Sequence, residues 1–411
     1  MEVTPDYEQY LRDHLTYEIE NYSNPAQPII IRNYSVIRRG LITLPIGRID
    51  LIPSDYEIKD KRVQILAQFP EFKGVLRPSQ AEIHDEVVDN CIINAKVSWG
   101  KTFTGAAIAG KLGLKTLVIV HTLPLMNQWA KEMRKVYGFE PGLIGNGHDR
   151  IDAPITIGNV RSLYTRMDKL NKAFGTIILD EMHHVSSPTF SKVVDASYAR
   201  YKIGLSGTIQ RKDGKHIVFR DYFGSKVFKP AAENRVEPVV HIWKSGLHFP
   251  DGTDGWANRV TRLTQMGQYR DLCCALLAHY REQGHQVLLV SDRTEFLRHV
   301  SGQCGSSLII GDTVDRDGEL EKIEQSRSLC GTQSIVSEGF SHDPLSCLIL
   351  GTPVNNDPLL EQLAGRIQRI APGKPRPVLV DIALGGYTAE RQLMNRIGFY
   401  MKQGWEIKHL S

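Results

Sequence analysis

Cysteine is scarce and unpatterned in this 411-residue chain: six residues, at 91, 273, 274, 304, 330 and 347, with no CxxC spacing. That count gives no zinc ribbon and no disulfide framework, and fits reduced thiols in a cytoplasmic setting. Long apolar runs are also missing. None reaches the ~18 residues that would span a bilayer, and the N-terminus, Met1-Glu2-Val3-Thr4-Pro5-Asp6, is too polar and acidic for a signal peptide. A membrane partner is therefore not expected. Low-complexity tracts and heptad arrays are absent too. Charge of one sign is not in large excess: the net charge is +4 and the pI about 8.6. Such a balance permits a nucleic-acid partner without demanding one.

What is present is ordinary globular material, 41% hydrophobic and 23% charged, enough for two or three domains. The first seventy residues differ from the rest. Tyr7, Leu11, Leu15, Ile19 and Tyr22 recur at helical spacing, so a helix is expected over 6–22. Strands are expected at 29–31 and 34–37, and a hairpin from 41–44 to 48–52. Arg32, Arg38, Arg39, Arg48, Lys59, Lys61 and Arg62 tint this small α+β unit basic, either as a solvated face or as a DNA contact. From about 75 to 230, short apolar runs (116–120, 155–157, 176–179, 202–205) alternate with helical patterns, as in a parallel α/β sheet. A polar stretch, 229–235, marks a boundary near 235. Strands are expected again at 286–290, 307–310, 333–336, 347–350 and 377–381. The expected division is 1–72, 73–235 and 236–411.

Two segments carry the chemistry. Ala95-Lys96-Val97-Ser98-Trp99-Gly100-Lys101-Thr102 fits a phosphate loop, G-x-x-x-x-G-K-[ST], with Ala95 at the first glycine. It follows a plausible strand, 91–93, and precedes a helical pattern, 103–112. Backbone N–H groups and the helix N-terminus bind phosphate oxygens there. Lys101 neutralises the β/γ charge and the Thr102 hydroxyl ligates Mg²⁺. The second segment is Thr176-Ile177-Ile178-Leu179 feeding into Asp180-Glu181-Met182-His183. An apolar strand ending in two carboxylates puts both at the ligand-binding edge of an α/β sheet. Asp180 can hold Mg²⁺ through water, and Glu181 can orient and deprotonate an attacking water. ATP and Mg²⁺ are the expected cofactors.

With Asp180-Glu181-Met182-His183, the chain resembles a DExH-type helicase of superfamily 2. Further segments then fall in that family's order: 76–80, 116–129, 157–163, 205–208, 290–293, 337–340, and Gln362-Leu363-Ala364-Gly365-Arg366-Ile367-Gln368-Arg369, which matches Q-x-x-G-R-x-x-R. The start at Arg77-Pro78-Ser79-Gln80, Gln128-Trp129, and the stretch 204–214 resemble the UvsW-type and XPB-like branch-migration group.

The resemblance implies an α/β fold: two tandem RecA-like doubly wound parallel sheets, preceded by a small α+β domain that helps choose the DNA. It implies ATP-driven unwinding or branch migration of forks, D-loops and four-way junctions, in recombination, repair or replication. An RNA helicase and a duplex-translocating subunit of a remodelling or restriction complex are the rivals. Nucleotide contacts fall to Arg77, Gln80, Ser98, Gly100, Lys101, Thr102 and Gly339, with Gln80 reading adenine. Asp180 and Thr102 hold the metal. Glu181, Lys101, Gln362, Arg366 and Arg369 carry catalysis, and His183, Ser206 and Thr208 couple it to movement. Thr122, Arg161, Arg293 and Ser337 contact DNA phosphates. Single-strand-binding or recombination proteins are conceivable partners, and host cytoplasm the location if a phage encodes the chain.

Four positions depart from the family pattern: Ser98 where glycine is frequent, the bulky Trp99, His121 where proline is usual, and Ser341 where motif V often has aspartate, with Asp343 two residues on.

Overall fold

A computed structural model describes residues 3–19, 27–38, 40–207, 209, 214–231, 233, 235–337 and 342–411. The chain forms two compact units, Met1–Glu233 and Asn234–Ser411.

The first unit is built on a sheet whose order is Val227–Phe228, Cys91–Asn94, Tyr201–Ser206, Thr176–Leu179, Thr116–Val120, Ile155–Asn159, Gly142–Gly145 and His148–Arg150. Every neighbouring pair is parallel except the last. The central strands Thr116–Val120 and Thr176–Leu179 are buried along their whole length. That burial is why they read as continuous apolar runs rather than alternating ones. Helices pack on both faces and close two cores, one around Trp129 and Met133, the other around Phe174 and Phe223. Helix Leu123–Tyr137 shows how the sequence sets its limits. Thr122 caps it by accepting from Leu125 N, proline stands in its first turn, and Gly138 ends it in the left-handed region.

The N-terminal residues depart from expectation in two places. The helix ends at His14, and Thr16–Ile19 is a strand paired antiparallel with Ile29–Arg32. Leu15, Tyr17 and Ile19 are buried while Glu18 between them is exposed, a period of two that a helical reading of the same apolar residues overruns. Tyr22 lies outside the described residues. The expected second hairpin strand is a 3₁₀ segment, Ile46–Leu51; Leu41–Thr43 pairs instead with Ser35–Arg38. This segment packs main chain to main chain on helix Phe219–Phe223. A Cβ at Gly47 would run into the carbonyl oxygens of Arg220 and Asp221. Asp221, fully buried, accepts from Tyr17 Oη (2.8 and 2.9 Å), Asn33 Nδ2 (2.9 Å) and Arg48 Nη1 (3.4 Å).

The second unit repeats the architecture with an all-parallel sheet: Ser307–Ile309, Ser328–Thr332, Gln286–Ser291, Leu345–Leu350, Val378–Gly385, Val239–His248 and Glu406–Leu410. The strand expected at 333–336 is in fact a helix, Gln333–Ser337, directly after strand Ser328–Thr332. Ser328, Gly331 and Thr332 hide that strand by interrupting its apolar pattern. No helix among the described residues is long and apolar enough to cross a membrane.

Candidate functional site

Strand Cys91–Asn94 runs into the phosphate loop, and Ala95 N donates to Ser206 O (2.9 Å) at the end of the adjacent strand. Ser98 (φ 71°) and Gly100 (φ 92°) both lie in the left-handed region. These two reversals turn the chain sharply enough for helix Lys101–Leu112 to begin at once. The left-handed conformation is strained for a serine, and such strain gathers at ligand-binding loops.

Trp99 stiffens the loop. It is 2% exposed, and its Nε1 donates to Ser79 Oγ (2.9 Å). Its carbonyl accepts from Gln80 Nε2 (2.7 Å) and from the Arg77 guanidinium. Gln80 Oε1 in turn accepts from Arg77 N (3.0 Å). The segment expected to read adenine therefore also clamps the phosphate loop. Each such bond contributes about 0.5–1.5 kcal/mol net.

Lys101 Nζ donates to Ala95 O (3.3 Å), and an added Cβ on Gly207 would lie 3.5 Å from that Nζ. Gly207 thus lies beside the Lys101 ammonium at the mouth of the loop. Across it stand Asp180 and Glu181. Asp180 is 4% exposed and accepts from Trp129 Nε1 (2.8 Å) and from Glu181 N (3.0 Å). Both donors are neutral. Burial, reinforced by Glu181, pushes the Asp180 carboxyl above its ordinary range. Glu181 turns through φ 49°, and its Oε2 lies 3.3 Å from His183 Nδ1. Burial works to raise its carboxyl as well, but Lys101 and His183 hold it below the usual range. An anionic Glu181 beside Lys101 suits a group that takes a proton from water. His183 Nδ1 is also 3.3 Å from Ser206 Oγ.

The residues expected at this site are therefore gathered: Arg77, Gln80, Ser98, Gly100, Lys101, Thr102, Asp180, Glu181, His183 and Ser206. The donor set, a hydroxyl at Thr102 and a carboxylate at Asp180 held by neutral donors only, fits a hydrated Mg²⁺. Two partners were missed as such. Gln128 Nε2 donates to Thr102 Oγ1 (3.3 Å), and the fully buried Trp129 orients Asp180. Their adjacency in helix Leu123–Tyr137 was the available signal: one side chain reaches Thr102 and the other Asp180.

Thr122 and Arg161 open helices at the same strand-end edge, after strands Thr116–Val120 and Ile155–Asn159. In the second unit, Gln362 lies in helix Asp357–Ala364 and Arg366 follows it, both half-buried. Arg369 donates to Asp343 (2.8 Å). The Arg293 guanidinium is engaged by Asp292, Thr261 and the Ala257 carbonyl. Ser337 ends its helix. Thr208 and Gly339 lie outside the described residues.

Among known proteins, "Probable helicase D10" of Escherichia phage T5 is 40% identical over 418 residues, an alignment covering 98% of this chain and 93% of that protein. The chain belongs to the superfamily 2 helicases. Such enzymes are ATP-dependent, which accounts for the phosphate loop and the carboxylate pair of this helicase. "DNA 3'-5' translocase XPB2" of Sulfurisphaera tokodaii is 34% identical over 326 residues, 74% of this chain and 73% of that one. Residues 73–211 match the family described as "Type III restriction enzyme, res subunit". A solved structure of S. cerevisiae Dbp5, bound to RNA and ADP BeF3, superposes with a TM-score of 0.59 at 12% identity, over 82% of this chain and 94% of that one. It shows the fold: two tandem RecA-like sheets.

Proposed function

We propose that this helicase uses Mg²⁺-ATP to move 3′–5′ on DNA and to unwind or branch-migrate forks, D-loops and four-way junctions. The observation that carries the reading is the convergence of Lys101, Thr102, Asp180 and Glu181 at one sheet edge, beside a phosphate loop held by Trp99. The direction and the DNA substrate are supported by the name of the XPB2 relative. Residues 1–72 act as the DNA-choosing accessory domain, 73–235 as the first motor domain and 236–411 as the second.

Lys101 and the loop N–H groups bind the β- and γ-phosphates, and Gln80 and Arg77 hold the nucleotide at the loop's far side, with Ser98, Gly100 and Gly339 as further contacts. Thr102 and Asp180 would hold Mg²⁺, which when bound would neutralise phosphate charge. Glu181 takes the proton of the attacking water. Arg366 and Arg369 supply the cationic groups that stabilise charge on the transferred phosphoryl group, and Gln362 positions the water; an arginine in that role contributes about 10³–10⁵ in rate. His183, Ser206 and Thr208 pass the state of the nucleotide onward. Thr122, Arg161, Arg293 and Ser337 hold backbone phosphates, contacts that carry no sequence information and weaken with salt.

The test is strand separation and ATP turnover on labelled forks, four-way junctions, linear duplex and single-stranded RNA, with Lys101→Ala as the control. Turnover stimulated most by branched DNA, and lost in Lys101→Ala, is the expected result. Stimulation by RNA alone would make it an RNA helicase, and unwinding by Lys101→Ala at the native rate would sink the mechanism.

A further inference from the structure

His121, His184 and Phe190 form a packed ring cluster between the nucleotide site and the two loops assigned to DNA. Three neighbouring strands end here: Thr116–Val120 before His121, Ile155–Asn159, and Thr176–Leu179 before Asp180. The sheet fixes those ends, with Asp180 N donating to Ile119 O (3.1 Å), and side chains add a second link between them. His183, 3.3 Å from Glu181 Oε2, packs its ring on His184 at a centroid distance of 4.3 Å. His184 packs on His121 at 4.4 Å and stacks on Phe190 at 5.4 Å, with an interplanar angle of 22°. Phe190 is 7% exposed and anchored in the core, so it backs the stack.

The far end of the stack meets both loops. The His121 carbonyl accepts from Asn159 Nδ2 (3.3 Å), and Asn159 Oδ1 accepts from Arg161 N (3.1 Å). Thr122 follows His121 directly and caps helix Leu123–Tyr137. One residue therefore touches both phosphate-binding loops of the first unit through its own main chain, and the nucleotide side through its ring.

We propose that His121 and His184 are positioning residues that couple the water-activating carboxylate to both DNA loops, so that DNA on Thr122 and Arg161 sets the geometry of Glu181. The proposal rests on the helicase reading above. Packed chains of this kind carry coupling only where two discrete arrangements exist, so energetic coupling has to be measured rather than read from proximity. A ring stack backed on one side by Phe190 suits the task, because His184 contacts both His183 and His121 while the strand ends remain fixed by the sheet.

The experiment is a double-mutant cycle on full-length protein: His121→Ala, His184→Ala, both together, and His121→Phe to restore a ring. ATP turnover is measured without DNA, at saturating forked DNA and across a DNA titration, beside the melting temperature of each variant. The DNA-free rate is expected to stay within about twofold, while the maximal stimulation falls by about 2–30-fold. The double variant should be no worse than the weaker single one, and His121→Phe should recover most of the stimulation. Full stimulation in both alanine variants, additive losses, or a parallel loss of the DNA-free rate would each overturn the proposal. So would a stimulation lost in His121→Phe at a native melting temperature. A native chain unresponsive to any DNA would instead overturn the helicase reading itself, and the coupling with it.

Discussion

Each RecA-like sheet buries an aspartate, and the two are treated oppositely. In the second unit, Asp381 (1% exposed) accepts from Arg396 Nε (2.7 Å) and Nη2 (2.8 Å) and from Tyr400 Oη (2.9 Å). Burial alone would make the Arg396 guanidinium easier to deprotonate, but Asp381 more than offsets it. Charge and lone pairs are satisfied inside the unit. In the first unit, Asp180 is as deeply buried yet receives only an indole N–H and a backbone N–H, with a second carboxylate next door. A buried charge is tolerated when it is paired or when it serves a ligand. The difference teaches which carboxylate is structural: the one hydrogen-bonded directly to its cation. Lys101 offsets only part of the burial and of the Glu181 repulsion at Asp180, which leaves a carboxyl that a bound cation would stabilise.

Three substitutions probe this contrast. The largest effect is expected for Glu181→Gln, which should cut ATP turnover by about 10²–10⁴-fold, the usual worth of a positioned general base. Its thermal melting point should hold or rise, because one of two adjacent buried carboxylates is gone. A turnover near native would break the assignment. Next, Arg396→Leu should destabilise the second unit by about 3–5 kcal/mol by leaving Asp381 buried and unpaired, read by urea denaturation. If stability holds while turnover collapses, Asp381 and Asp180 are alike after all. The smallest effect is expected for Trp129→Phe. Losing one hydrogen bond to a charged group, about 1.5–3 kcal/mol, should raise the Mg²⁺ concentration needed for half-maximal turnover by about tenfold or more. An unchanged Mg²⁺ requirement would mean that Trp129 only fills the core.

The same contrast explains what could be read from the sequence. The motor sheets announce themselves because buried parallel strands are unbroken apolar runs, and the site residues because they cluster at strand ends in fixed spacings. The N-terminal unit does not. Leu11, Leu15 and Ile19 fit a helical period, and only the pairing of 16–19 with 29–32 shows that the chain changes structure at Leu15. Strand Ser328–Thr332 escaped because its sequence, Ser-Leu-Cys-Gly-Thr, lacks the expected run. Trp99 looked anomalous until its partner Ser79 was in view, and Trp129 looked like a family mark until its Nε1 met Asp180. Contacts between residues 20 to 51 positions apart leave no periodic trace. Tyr17 and Asp221, 204 positions apart, leave still less.

Gly47 gives the N-terminal unit an unexpected inflexibility in design. Its missing side chain lets two backbones touch, with the carbonyls of Arg220 and Asp221 occupying the space a Cβ would need. Met1–Glu233 is one compact unit, so an exchange of the N-terminal residues cannot stop at a cut near residue 72. Such an exchange has to bring its own counterpart of residues 219–223, on which Gly47 packs. The N-terminal residues and residues 219–223 are thus interleaved in one fold, and neither can be replaced without the other.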